Sequence, residues 1–179
     1  MRLLWIAILV GAGYWGWLNW LKPVPTALNL PDGYQMIELE PYRNEFRILA
    51  RQDYHHDDGA KFSPVDFAVG MGAMADPSIY KQFNIEQRNR WYYWRVDQYP
   101  IPRRDIEINS ANMHIIPANP TIADQLKQVK PDDLVILSGV LVEINHPSGW
   151  RWRSSLSRED TGDGACELMR VDQIEWLSR

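Results

Sequence analysis

The sequence predicts a mainly β fold of the α+β kind: an N-terminal transmembrane helix followed by a small, OB-like bent β-barrel with one or two short helices. Three observations carry that expectation. Short alternating or apolar runs recur along the chain between turn signals. The longest, Leu134–Asn145 (LVILSGVLVEIN), has Gly139 at its centre, and a glycine inside a strand marks a bulge or a sharp bend. A capped helix, NPTIADQLKQVKPDD, runs directly into that strand, an order that suggests barrel closure. A mixed α+β sandwich is the alternative.

Residues 1–22 read as a signal anchor. Residues 3–21 (LLWIAILVGAGYWGWLNWL) carry no charge, and Asn19 is their one strongly polar side chain. As a helix rising about 1.5 Å per residue they reach roughly the 30 Å of a hydrocarbon core. Trp5 lies towards one end and Trp15, Trp17 and Trp20 towards the other, where indole rings suit the membrane–water interface. A core helix would need a polar face, which is lacking, and a cleaved signal peptide would need an A-x-A site, which does not follow. Arg2 and the α-amino group on one side, against Lys22 on the other, favour the N-terminus inside and the domain in the periplasm. Ala7/Gly11 and Ala12/Gly16 have the small-xxx-small spacing of closely packed membrane helices.

Residues 23–33, with Pro23, Pro25, Pro31 and a Pro-Asp-Gly turn signal, read as a semi-extended tether. Residues 34–179 then form one domain. Strand patterns fall at 34–39, 45–54, 65–69 (Val65, Phe67 and Val69 on one face), 90–96, 106–116, 134–145, 150–156 and 165–176. Two helices are signalled. Asp76 caps the first, with Pro77 at its first position. Asn119 caps the second, Pro120 opens it, and Ile122, Leu126 and Val129 form its inner face.

The chain of 179 residues is 45% apolar and 23% charged, a globular balance with enough length for a sizeable core. The net charge of −4 becomes −5 without Arg2. A mildly acidic domain is a poor generic ligand for phosphate backbones, which argues against nucleic acid as a partner. The single cysteine, Cys166, excludes an intramolecular disulfide and a multi-cysteine metal site. No motif calls for a cofactor.

The densest chemistry lies at 149–167, GWRWRSSLSREDTGDGACE. On a strand Trp150, Trp152 and Ser154 share one face, and Arg151, Arg153 and Ser155 the other. With Arg158 the arginines offer a carboxylate- or phosphate-binding surface. They also suit solvent-facing pairs with acidic neighbours. The aromatic–basic run RNRWYYWRVDQYPIPRR makes Arg90, Trp91, Trp94 and Arg95 contact candidates, since such a mixture describes an interface hot spot as well as a core strand with charged flanks. His55, His56, Asp57 and Asp58 are metal-ligand types in one loop, with no third ligand evident. His114 with Cys166, or with Ser154, Ser155 or Ser157, is a candidate nucleophile–base pair. No G-x-S-x-G elbow supports it.

As a set, FSPVDFAVGMGAMAD, NRWYYWR, SANMHIIPAN and the 149–167 segment resemble an uncharacterised bacterial family of single-pass, membrane-anchored envelope proteins. The resemblance spans roughly residues 45–176. It implies an inner-membrane address and transfers no activity or catalytic residue. The expected function is that of a binding module or accessory subunit of a larger membrane protein assembly. A hydrolase or transferase using His114 with Cys166 or a serine, and an OB-type binder of an anionic ligand through Arg151, Arg153 and Arg158, are the alternatives.

Overall fold

The computed structural model describes residues 26–160 and 164–179. The expected anchor, with its lipid contact through residues 3–21, lies outside the described residues. Among the described residues no helix is long and apolar enough to cross a membrane.

The fold is mainly β with a few short helices. Strand β1 (Ala27–Asn29) is followed by β2 (Gln35–Asp53) and β3 (Val65–Gly70). Helix α1 (Pro77–Tyr80) leads into the hairpin of β4 (Asn84–Arg88) and β5 (Trp91–Arg95). Next come α2 (Arg103–Ile108), β6 (Ser110–Pro117), α3 (Pro120–Leu126), β7 (Leu134–Asn145), β8 (Arg151–Arg153) and β9 (Glu167–Ser178).

Strand β2 does most to shape the sheet. Its first part runs antiparallel to β7, from Gln35 opposite Asn145 to Arg47 opposite Leu134. Its last part runs antiparallel to β3, from Arg47 opposite Gly70 to Asp53 opposite Val65. A strand that changes partners along its length must curl, and irregularities at Glu38/Glu40 and Ile48/Ala50 supply the bend. Strand β3 pairs with β6, β6 runs parallel to β9, and β9 pairs with β7. The ladders followed from β2 through β3, β6, β9 and β7 thus return to β2. Gly139 sits where the β7–β9 register shifts. A Cβ there would run into the Arg170 carbonyl, so the two strands approach closely only because the side chain is missing.

Three clusters fill the molecule. The main one gathers Phe46, Ile48, Phe67, Met113, Leu137 and Met169 from the inner faces of the sheet, with Ile122 and Leu126 of α3 against them. A second lies under the hairpin, around Met74, Tyr80 and Ile106. The third holds Ile144 and Leu168 beneath Trp150 and Trp152. Strand β3 is buried along its whole length. Val65, Phe67 and Val69 face the main core, which leaves Asp66 and Ala68 on the other side.

The helix caps form as expected. Ser78 donates its backbone N–H to Asp76 Oδ1 at 2.8 Å, and Ile122 donates to Asn119 Oδ1 at 3.0 Å. Three segments differ from the sequence pattern. The alternating Ile106 and Ile108 lie on α2 rather than on a strand; only Ile106 is fully buried, and Arg103 and Glu107 pair one turn apart on the outer face. Strand β4 was not expected. Ala27–Asn29, within the stretch that reads as a tether in the sequence, adds an edge strand to β2.

Candidate functional site

The site grows from the hairpin tip. Asn89 and Arg90 turn the chain between β4 and β5 with φ of 52° and 69°, the left-handed pair that a two-residue turn demands. Neither is glycine, and contacts to the sheet hold Arg90 in place. Its guanidinium donates to Asp66 Oδ1 at 2.8 Å and to both oxygens of Asp57, at 2.8 and 3.0 Å. It lies 3.8 Å from the centre of the Tyr54 ring. The Arg90 backbone N–H donates to the Tyr54 hydroxyl at 3.0 Å, and its carbonyl accepts from Asn112 at 3.1 Å. Burial would raise Asp57, but the bond and charge of Arg90 hold it below the ordinary carboxylate value. Arg90 is therefore an anchor for the hairpin.

Asp66 is the hub of this network, at 0% exposure. Besides Arg90 it accepts from Asn112 Nδ2 at 3.2 Å. Its Oδ2 lies 3.0 Å from His114 Nδ1, but the ring N–H is not aligned for a hydrogen bond. The His114 ring leans on Trp152, with centroids 4.8 Å apart. A buried carboxyl without partners of this kind is costly.

Beside the network lies a cavity of about 460 Å³. Strand β5 supplies one wall through Trp91, Tyr92, Tyr93 and Trp94. Arg103 and Glu107 of α2 border it, Ser110, Ala111 and Asn112 of β6 line it next, and Arg158, Asp160 and Cys166 close the far side. The Tyr92 hydroxyl meets Ser110 Oγ at 2.5 Å and ties β5 across to β6. Burial raises the Tyr92 phenol despite that bond. Arg103 bonds Glu107 at 2.8 Å, and Arg158 pairs with the buried Glu167 while donating to the Ser110 carbonyl at 2.9 Å. The lining therefore carries little free charge.

The nucleophile–base candidates do other work. Burial, reinforced by the Asp66 carboxylate and opposed by Arg158 and Asn112, pushes the Cys166 thiol up to about 11. A thiol so placed stays protonated at neutral pH, whereas the thiolate is the nucleophile. His114 faces Asp66 and Trp152. Ser154 Oγ accepts from the Leu168 N–H at 3.1 Å, Ser155 Oγ donates to Asp160 at 2.5 Å, and Ser157 Oγ accepts from the Glu159 N–H at 3.0 Å. These hydroxyls shape the segment that borders the cavity.

The arginines of β8 form a cluster of their own. Arg151 donates to Glu143 at 2.7 Å, and Arg153 pairs with the same carboxylate. The Arg151 bond first, then Arg153 and Asn145 against some desolvation, hold Glu143 at about 2. Trp150 and Trp152 pack on the opposite face. Arg95 is exposed on β5 and does not border the cavity. In the 55–58 loop Asp57 is bound to Arg90, and the His55 and His56 rings stand 6.2 Å apart at 70°. Among the described residues no group of three or more His, Cys, Asp or Glu side chains is placed to hold a metal ion.

Of the residues singled out from sequence, the fold brings Trp91, Trp94, Arg158 and Cys166 to one cavity and places Arg90 and His114 in the network beside it. Tyr99, Glu107, Asn112 and Asp160 join them, although none was singled out as a site residue. No known protein family, curated protein or solved structure matches the chain.

Proposed function

We propose that this chain is a membrane-anchored, envelope-facing binding module, an accessory subunit of a larger membrane protein assembly whose partner docks at the cavity beside β5. The uncharged, tryptophan-edged residues 3–21 support the anchor, and the resemblance to single-pass envelope proteins supports the address. The circuit of five ladders, with one parallel pair and α3 between β6 and β7, favours the OB class of Greek-key barrel.

One observation carries the reading. The cavity is walled by tryptophan and tyrosine, its charged groups are largely paired, and the groups suited to catalysis beside it are protonated or committed to packing. Aromatic walls with balanced charge suit recognition. An anionic ligand would find Arg151, Arg153 and Arg158 already holding carboxylates.

The test is purification of the full chain from its native membrane in mild detergent, with Trp91→Ala and Tyr93→Ala alongside. A partner retained by the parent chain and lost from either variant supports the module. A chain that emerges alone at every concentration overturns it.

A further inference from the structure

We propose that the domain rests on the bilayer through a hollow beside β1 that takes phospholipid; this rests on the membrane-anchor reading above. The hollow, of about 390 Å³, is bounded by Leu28 and Leu30 of the first described segment, Tyr34 just before β2, Phe62 of the β2–β3 loop, and Ile116 and Pro117 at the end of β6. Its place follows from chain length. Residues 22–26 join the anchor to β1, and five residues reach at most about 18 Å however they are arranged. A domain of about 150 residues is roughly 35–40 Å across. The β1 end therefore cannot be the one far from the membrane, and the hollow lies at that end.

The hollow is preformed. Asp32 and Gly33 turn the chain with φ of 59° and 81°, and the Asp32 carbonyl meets His146 Nε2 at 3.1 Å. The Tyr34 ring is held by Phe62 at 5.0 Å, His146 at 4.5 Å and Trp150 at 5.5 Å between centroids. Leu28 nonetheless stays 39% exposed on the hollow's wall. Apolar surface of that kind is costly in water, and aromatic rings beside leucine suit the membrane–water interface. The charges are those of a neutral lipid. Arg170 is taken by Glu38 and Asp172, which leaves Asp32 and Lys61, whose Nζ lies 3.9 Å from the centre of the Tyr34 ring. One ammonium and one carboxylate match the phosphate and amine of a zwitterionic headgroup, while the apolar wall meets its acyl chains. The tether supplies the effective concentration, so a modest contact suffices.

The lipid contact also sets the height of the partner cavity. Ser110, Ala111 and Asn112 of β6 line that cavity, and Ile116 and Pro117 of the same strand line the hollow. From Ala111 to Pro117, at roughly 3.3 Å per residue, the strand separates them by about 20 Å. Lipid in the hollow thus leaves the cavity clear of the bilayer and open to a protein.

The experiment places the full chain in nanodiscs of phosphatidylcholine that include an analogue with a diazirine on its acyl chain. After illumination the labelled residues are mapped by mass spectrometry. Docking predicts label on residues 3–21 and also on Leu28, Leu30 and Phe62, with none on residues 91–94. Leu28→Glu changes an exposed position. It should cut the label at Phe62 about tenfold, the worth of one buried leucine side chain, and leave the label on 3–21 unchanged. Label confined to residues 3–28, label on another face of the domain, or label at Phe62 that survives Leu28→Glu overturns the docking and leaves the anchor standing. No label on 3–21 overturns the anchor reading and this inference with it.

Discussion

Arg90 reaches Asp66 from a backbone position that residues with side chains seldom adopt. Its φ is +69°, and its Nη1 lies 2.8 Å from Asp66 Oδ1. The left-handed conformation costs on the order of 1 kcal/mol for a residue with a Cβ. An ion pair to a carboxylate with no solvent exposure offsets that cost, and so a turn without glycine holds the β4–β5 hairpin against the sheet.

Arg90→Ala should therefore destabilise the chain strongly. It leaves Asp66 buried and short of its main partner, a loss of about 3–5 kcal/mol for a broken buried pair. Arg90→Gly removes the same pair but relieves the backbone, so it should be less damaging by about 1 kcal/mol. Urea denaturation of both variants checks the order. Equal loss in the two would show that the turn carries no strain, and parent-like stability in both would show that the anchor is idle.

Glu143 gives the fold an acid-sensitive clasp. Its carboxyl is held at about 2 against an ordinary 4.5 by Arg151 first and Arg153 with it. A depressed folded value means that the stabilisation is complete above the unfolded value and is lost as pH falls through about 5 towards 2. The arginines are 57% and 44% exposed, so water screens the clasp, and Glu143→Gln should cost about 1–2 kcal/mol at pH 7. The cost should shrink towards zero near pH 2. Denaturation midpoints at pH 7, 5 and 3 read this directly. An unchanged difference between parent and variant across that range would remove the clasp.

Gly139→Ala should be among the most damaging single changes. The added methyl meets the Arg170 carbonyl, a backbone atom of the neighbouring strand that cannot rotate aside. The β7–β9 ladder must part at its register shift, with an expected loss of about 3 kcal/mol or more. A thermal melt within a few degrees of the parent would show that the strands have slack there.

Much of the fold could be read from local pattern. Gly139 announced its bend, Asn119 and Asp76 their helices, and Val65, Phe67 and Val69 their inward face, because each depends on neighbours in sequence. The misreadings have a shared cause. Ile106 and Ile108 alternate like a strand, but the segment is helical, with Ile106 packed into the second core and the pairing of Arg103 with Glu107 adding a little on the outer face. NIEQR has no β-rich composition, and its turn has no glycine. It becomes a strand because Arg90, 24 residues after Asp66, is captured by it. The cavity was half legible: its tryptophans stood out, but the wall opposite comes from Asn112, Asp160 and Cys166, whose convergence is a property of the ladders.

Cys166 yields the sharpest chemical prediction, since the thiol borders the cavity and burial pushes it up to about 11. At pH 7.5 on the order of one thiol in a few thousand is ionised, some 300-fold fewer than for an ordinary cysteine near 8.5. A more basic thiolate is the better nucleophile by roughly tenfold, so the net reaction with iodoacetamide should be about 30-fold slower than that of free cysteine. The rate should climb about tenfold per pH unit to pH 10 without a plateau, as a protonated thiol requires. Cys166→Ala should retain the partner, because the smaller side chain leaves the cavity open. Carboxamidomethylation at high pH, followed by return to neutrality, should displace the partner by filling the cavity. A rate plateau between pH 7 and 8 would show an activated thiol and restore the enzyme reading, whereas loss of the partner from the alanine variant would make the side chain itself a contact.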